Sequence, residues 1–370
     1  MTRRATPWWL YLPSPLTGTF FGLLGATGPE LRAATGVGYG GIAAIFVAQT
    51  LGTVGGAAAA GLSRARIFRP RPMALAAAGA LALTLAVDDA LALLPLMLVA
   101  GFGCYAVNAR AQGDLSIVTG ERRARALALF HVFGGLGMAV FPLVVAGLLR
   151  AGGTWHAPFV LVGGLFAAYA VVATCWRHSG DPPGLRLDAV RRLVHGRTGA
   201  ALLVACLGTG VMFAVPLWIP TLMRDRFGWS TAAASLGSAV YMISLLVSRV
   251  TVASLANRVD GRRILLVAAT LVVLGHVVLF LAWSPAVLLV AAAVVAAGAG
   301  PLLPVGIARV AQWSRDDRLG TAAVMGLAAL SQIVFPTLVV AVHAAGLSLQ
   351  HAASVTIFPA LLILVAARRA

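Results

Sequence analysis

Apolar positions along this chain fall into long runs separated by short breaks that carry Arg, Pro or Gly. The runs cover 8–27, 39–62, 72–87, 90–112, 124–149, 157–176, 198–222, 231–256, 264–282, 286–309, 319–345 and 350–367. A helix needs about 20 mostly apolar residues to cross the hydrocarbon of a bilayer. The pattern therefore predicts an all-α membrane protein of twelve transmembrane helices. The third run is short because Asp88 and Asp89 truncate it. The longest break, 177–197, holds Pro182, Pro183 and Gly184 and no apolar run. It divides the chain into a six-helix bundle at 1–176, a linker, and a second six-helix bundle at 198–370.

Composition supports a lipid-facing surface. Only 11% of the 370 residues are charged, against about 25% in a soluble domain. All 28 basic residues are Arg, and they gather in the breaks. With a cytoplasmic N-terminus, 23 of them lie on the inner side and 4 on the outer, which predicts that both termini are cytoplasmic. The net charge of +17 is thus a topology signal, and nucleic acid is not an expected partner. Cys104, Cys175 and Cys206 lie in apolar segments without metal-ligand spacing, so neither a metal site nor a disulfide framework is expected. No cleavable leader is expected after Met1 to Arg4.

The two halves carry related basic turns. After the second run comes Gly61-Leu62-Ser63-Arg64-Ala65-Arg66, and after the eighth comes Leu255-Ala256-Asn257-Arg258-Val259-Asp260-Gly261-Arg262-Arg263. With these turns, the chain resembles the major facilitator superfamily (MFS), whose two six-helix halves each have a G-x-L-A-D-R-x-G-R-R-like turn between their second and third helices. Asn257 stands at the acidic position of the second copy, and Arg64 at that of the first. Asn108, the stretch Gly120-Glu121-Arg122-Arg123, Gly134-Gly135-Leu136-Gly137 and Pro142 are similar to the fucose-permease branch, and more faintly to the drug-exporter signature. The resemblance implies alternating access, with Asn257, Arg258, Gly261 and Arg262 clamping helix ends. It also implies that Arg64 weakens the first clamp or turns to another partner such as Asp114.

Polar groups deep in a span are expensive and therefore mark candidate sites. The candidates for solute contact are Thr17, Gln49, Asn108, His131, Trp218, Tyr241, Arg249 and Gln332. Arg249 stands out because a guanidinium stays charged and must find a carboxylate, carbonyls or a water-filled cavity. Two readings stay open for it: an anion anchor, as the resemblance to monocarboxylate-type members implies, or a structural Arg reaching toward a gate. His131 is readable as a proton relay or a packing group, and His276 as structural. Gln49 and Gln332 read either as a solute site or as interhelical hydrogen bonding. Acidic residues are scarce; Glu30 and Asp114 are the nearest candidates for coupling, each also readable as a solvated helix-end charge. Protons are the candidate coupling ion.

These features favour a transporter that moves a small organic solute, neutral or anionic, across the bacterial inner membrane. An efflux pump for amphipathic compounds is the alternative, and a non-transporting membrane protein the remote one. A membrane enzyme would need clustered His, Asp or Glu, as in H-E-x-x-H, and the chain has no such motif. No cofactor is expected, and the expected partners are the solute and the bilayer, with the chain a monomer.

Overall fold

The structure is a computed structural model that describes residues 8–62, 68–119, 123–175, 196–255, 258–314 and 317–369. The first compact unit spans Met1–Gly184 and the second Leu185–Ala370. Among the described residues both are built of helices joined by short turns. In the first unit the helices are α1 (Pro13–Thr35), α2 (Tyr39–Leu62), α3 (Pro70–Ala82), α4 (Leu93–Thr119), α5 (Arg123–Arg150) and α6 (His156–Val172). The second contains α7 (Gly196–Asp225), α8 (Thr231–Leu255), α9 (Gly261–Leu281), α10 (Pro285–Ser314) and α11 (Asp317–Ala344). Its last span, Leu349–Ala367, is built from α12 (Leu349–Ser354) and α13 (Ile357–Ala367).

Nine helical segments among the described residues are long and apolar enough to cross a membrane, and Pro70–Ala86 and His156–Val172 are shorter apolar helices beside them. Helix α1 falls outside both groups because Ser, Thr, Gly and Pro dilute its apolar content. It compensates by position: more than half of its residues are buried, so few of its polar groups meet lipid. With α1, the described residues supply the twelve helices that the apolar runs predict.

Two helices run furthest past the ends that the hydropathy pattern indicates. Helix α1 starts at Pro13, after a 3-10 turn at Trp8–Leu10, and continues to Thr35, where Gly36 ends it with φ 68°. Helix α4 continues to Thr119, seven residues past the end of its apolar run. Apolar counting stops at the membrane boundary, whereas helix hydrogen bonding does not. Glu30, Leu31, Arg32 and Ala33, and likewise Gln112 and Leu115, are good helix formers. The shortness of α3 has the expected cause nearby: Asp89 accepts a hydrogen bond from the Leu91 amide at 3.0 Å and so starts a new 3-10 turn at Ala90–Ala92.

The two units share several pairings, and the second adds an extensive contact of α7 with α10. In the first, α1 packs on α5, α2 on α4, and α3 on α4 and α6. In the second, α7 packs on α11, α8 on α10, and α9 on α10 and the last span. The α2–α4 seam requires glycine. A Cβ on Gly52 would lie 2.1 Å from the Leu98 carbonyl oxygen, and one on Gly56 would lie 2.1 Å from that of Phe102. Only bare backbone permits so close an approach, and such contact drives helix association where lipid supplies no hydrophobic force.

Side chains secure the ends. Leu10, in the 3-10 turn, is buried with Ala111 and Leu115 of α4 and Ala126 and Phe130 of α5, while Trp9, Tyr11 and Leu127 pack against this cluster. In the second unit, the buried Gln350 amide donates to the carbonyls of Leu279, Phe280 and Ala282 at 2.8, 3.0 and 2.9 Å. These are among the carbonyls a helix C-terminus leaves open, so Gln350 caps α9 from the last span.

Candidate functional site

In the first unit, α1 and α4 are joined by a buried polar chain. Thr17 donates its hydroxyl to the Pro13 carbonyl at 2.8 Å, which leaves its oxygen free to accept. Asn108 Nδ2 donates to that oxygen at 2.9 Å and Cys104 Sγ at 3.5 Å. Gln112 Nε2 then donates to Asn108 Oδ1 at 2.6 Å. Thr17 and Asn108, separate candidates in the sequence, are thus direct partners. Neither carries a charge, and each uses the other to meet its hydrogen-bonding needs inside the bundle.

Gln49 is different. It is fully buried on α2, and neither its amide nitrogen nor its amide oxygen has a hydrogen-bond partner. Its backbone carbonyl lies against Gly101 on the α2–α4 seam. Its neighbours Thr50 and Thr53 satisfy themselves by donating to the carbonyls of Phe46 and Thr50 at 2.9 and 2.7 Å.

Asp114 is buried, 2% exposed, rather than solvated at a helix end. The continuation of α4 to Thr119 places it in the body of the helix, where Arg110 Nε stands 4.0 Å from its Oδ1. The buried Tyr169 of α6 lies within electrostatic reach of Asp114, and its hydroxyl has no hydrogen-bond partner. Glu30 lies within α1, partly exposed, because the helix carries on to Thr35. His131 is exposed on α5 and stands edge-on to Phe130, with ring centroids 5.9 Å apart. Arg64 lies outside the described residues.

In the second unit, Arg249 is half-buried on α8 between α7 and α10. Its Nε donates to the Gly300 carbonyl at 3.3 Å, and its Nη2 to the Met212 sulfur at 3.0 Å. Among the described residues no carboxylate lies within ion-pair distance of it. Gly300 is required here: a Cβ would fall 2.1 Å from Ser248 Oγ and 2.9 Å from the Leu245 carbonyl oxygen. Tyr241, two turns earlier on α8, is fully buried with an unpartnered hydroxyl and is coupled electrostatically to Arg249. Trp218 is fully buried on α7. Gln332 is partly buried on α11 and makes no side-chain hydrogen bond among the described residues.

The basic turn after α8 contains a contact that the turn motif does not indicate. Arg309 of α10 donates to Asp260 at 2.5 Å, and Gly261 makes room for it: a Cβ there would lie 2.8 Å from Arg309 Nε. The turn's carboxylate contact is therefore made by Asp260, three places beyond Asn257. Asn257 itself lies outside the described residues. Arg258 and Arg262 are exposed and make no side-chain hydrogen bond among the described residues. Other connections also escaped the sequence reading. Ser14 donates to the Phe130 carbonyl, Ser331 to that of Cys206, and Ser238 to that of Pro216 at 3.2 Å. The buried His276 bridges the Val272 carbonyl and the Thr356 hydroxyl at 2.7 and 2.6 Å, which gives it a structural place.

The fold is shared with solved transporters. The structure is similar to the nucleoside transporter NupG, with a TM-score of 0.76 at 14% identity over 97% of this chain and 98% of that one. A bacterial homolog of the human lysosomal transporter Spinster, inward-facing and occupied, gives 0.74 at 12% identity over 98% and 96%. A D-xylose–proton symporter gives 0.73 at 14% over 97% of each. At such identities the likeness concerns the fold. No curated protein sequence matches significantly. The sequence profile of the Major Facilitator Superfamily matches residues 14–281 and again 200–368, so it reaches across both helical units. With that profile and twelve helices in a shared transporter fold, the chain belongs to the Major Facilitator Superfamily of multi-pass membrane proteins.

Proposed function

We propose that this chain is a secondary transporter that carries a small polar organic solute across the bacterial inner membrane by alternating access. The Gln49 amide is the observation that carries this reading. A primary amide buried with both ends unmet forfeits roughly 2–7 kcal/mol of hydrogen bonding, and a polar solute with hydroxyl or amide groups can restore it. An amide offers two donors and an acceptor and no charge, so its best complement is a neutral solute. An anionic solute is the less favoured version, because Arg249 already donates to Gly300 and Met212. Buried Asp114 and its neighbour Tyr169 make the inner part of α4 the place to look for proton coupling. The Arg distribution supports both termini on the cytoplasmic side.

Uptake into proteoliposomes tests the proposal, with labelled D-xylose, a nucleoside and a monocarboxylate as probes, each with and without an imposed proton gradient. The expected result is uptake of a neutral probe that falls about tenfold in Gln49→Leu, the effect of losing one or two hydrogen bonds to a solute. Equal uptake by Gln49→Leu and the parent would remove Gln49 from the site. Preference for the monocarboxylate would replace the neutral reading with the anionic one. Uptake that ignores the gradient would make the protein a facilitator.

A further inference from the structure

Four prolines interrupt the two helices that flank α8: Pro216 and Pro220 in α7, and Pro301 and Pro304 in α10. A proline has no N–H, so the carbonyl four residues before it loses its helical partner. For Pro304 that carbonyl belongs to Gly300, and for Pro220 it belongs to Pro216. These are the two carbonyls to which α8 donates: Arg249 Nε reaches Gly300 at 3.3 Å, and Ser238 Oγ reaches Pro216 at 3.2 Å. An open carbonyl inside a membrane protein must be met by a neighbouring helix, a side chain or water. Here a single helix meets one such group on each side of it. At Gly300 the missing Cβ lets α8 come close enough, and Met212 holds the other end of the guanidinium from α7.

We propose that Arg249 is a positioning residue that supplies the hydrogen bond Pro304 withholds from Gly300, and so holds the interruption of α10 against α7 and α8. Ser238 does the same for the interruption of α7. On this account Arg249 acts on the backbone of its own unit, and its role does not depend on which solute is carried.

Hydrogen exchange across residues 296–308 of the purified full chain in detergent is the test, read in the parent, Arg249→Met, Arg249→Lys, Pro304→Ala and the double variant Arg249→Met/Pro304→Ala. Methionine keeps the length of the side chain and removes the donor. Exchange is expected to speed up about 3- to 10-fold in Arg249→Met, the range for one hydrogen bond of ordinary net strength. Arg249→Lys, which retains a donor on a long stem, should restore most of the protection. In the Pro304→Ala background the helix regains its own N–H, so adding Arg249→Met should change exchange little. Equal acceleration in both backgrounds, or failure of Lys to protect, would overturn the proposal. If the Pro304→Ala proteins do not fold, the same cycle with Ser238→Ala and Pro220→Ala decides it at α7, where additive effects would overturn the common rule.

Discussion

In the first unit α2 meets α4 where Gly52 and Gly56 lay bare backbone against the carbonyls of Leu98 and Phe102. In the second unit α8 and α10 hold the same places in the order, and there the contact runs through side chains: Ser248 above Gly300, with Arg249 donating to the Gly300 carbonyl. Proline is distributed accordingly. Within their helices, α1 and α5 hold one each, Pro29 and Pro142, whereas α7 and α10 hold two each and α11 has Pro336. At the α2–α4 contact the first unit thus joins its helices by removing Cβ atoms. At the α8–α10 contact the second meets a carbonyl freed by proline with a side chain from the neighbouring helix. One pairing can therefore be secured by van der Waals approach of backbones or by hydrogen bonds to freed carbonyls. The second solution leaves more room for local rearrangement, because a side chain can release a carbonyl and a backbone seam cannot.

The largest expected break of this contrast is Gly52→Ala. Its Cβ would meet a backbone carbonyl at 2.1 Å, so the seam itself must open, at a cost of about 3 kcal/mol or more. The counterpart is Gly237→Ala, whose Cβ would meet the Ile219 Cγ2 methyl at 2.7 Å and Met223 Cγ at 3.5 Å, side-chain atoms that can shift for about 1 kcal/mol. Thermal unfolding in detergent compares them; similar losses would mean that the two units are not joined differently. A second comparison is Asn108→Ala against Ser238→Ala. Losing Asn108 removes two side-chain hydrogen bonds, to Thr17 and from Gln112, at about 2 kcal/mol, and losing Ser238 removes one, to the Pro216 carbonyl, at about 1 kcal/mol. The reverse order in the same assay would favour side-chain ties as the stronger glue of the second unit. The smallest effect is expected from Arg309→Gln. The Asp260 side chain is 57% exposed, and such pairs contribute about 0–1 kcal/mol. Its loss should be visible at low salt and vanish by about 1 M, where screening is nearly complete.

Hydropathy made the helices legible, since lipid demands long apolar runs. Helix ends were less so. Asp114 looked like a solvated charge because α4 outlasts its apolar stretch, and burial at that depth depends on neighbours the local sequence does not name. Prolines disclose which carbonyl is open, four residues earlier, but they do not disclose the donor. Nothing adjacent to Ser238 or Arg249 points to Pro216 or Gly300, because those contacts exist only once the helices are packed. Arg249 was conspicuous for its charge, and both of its partners came from other helices. Asp260 was overshadowed by Asn257, since the motif directs attention to one position while the Arg309 contact uses another.

The nest of Leu10 also orders events in time. The 3-10 turn at Trp8–Leu10 is synthesised early, but the residues that receive it extend to Phe130, 120 positions later. At roughly 5–20 residues per second, the turn waits roughly 6–24 seconds on a ribosome before its receptor exists. The turn therefore reaches its place in the first bundle only after the first turns of α5 have been made.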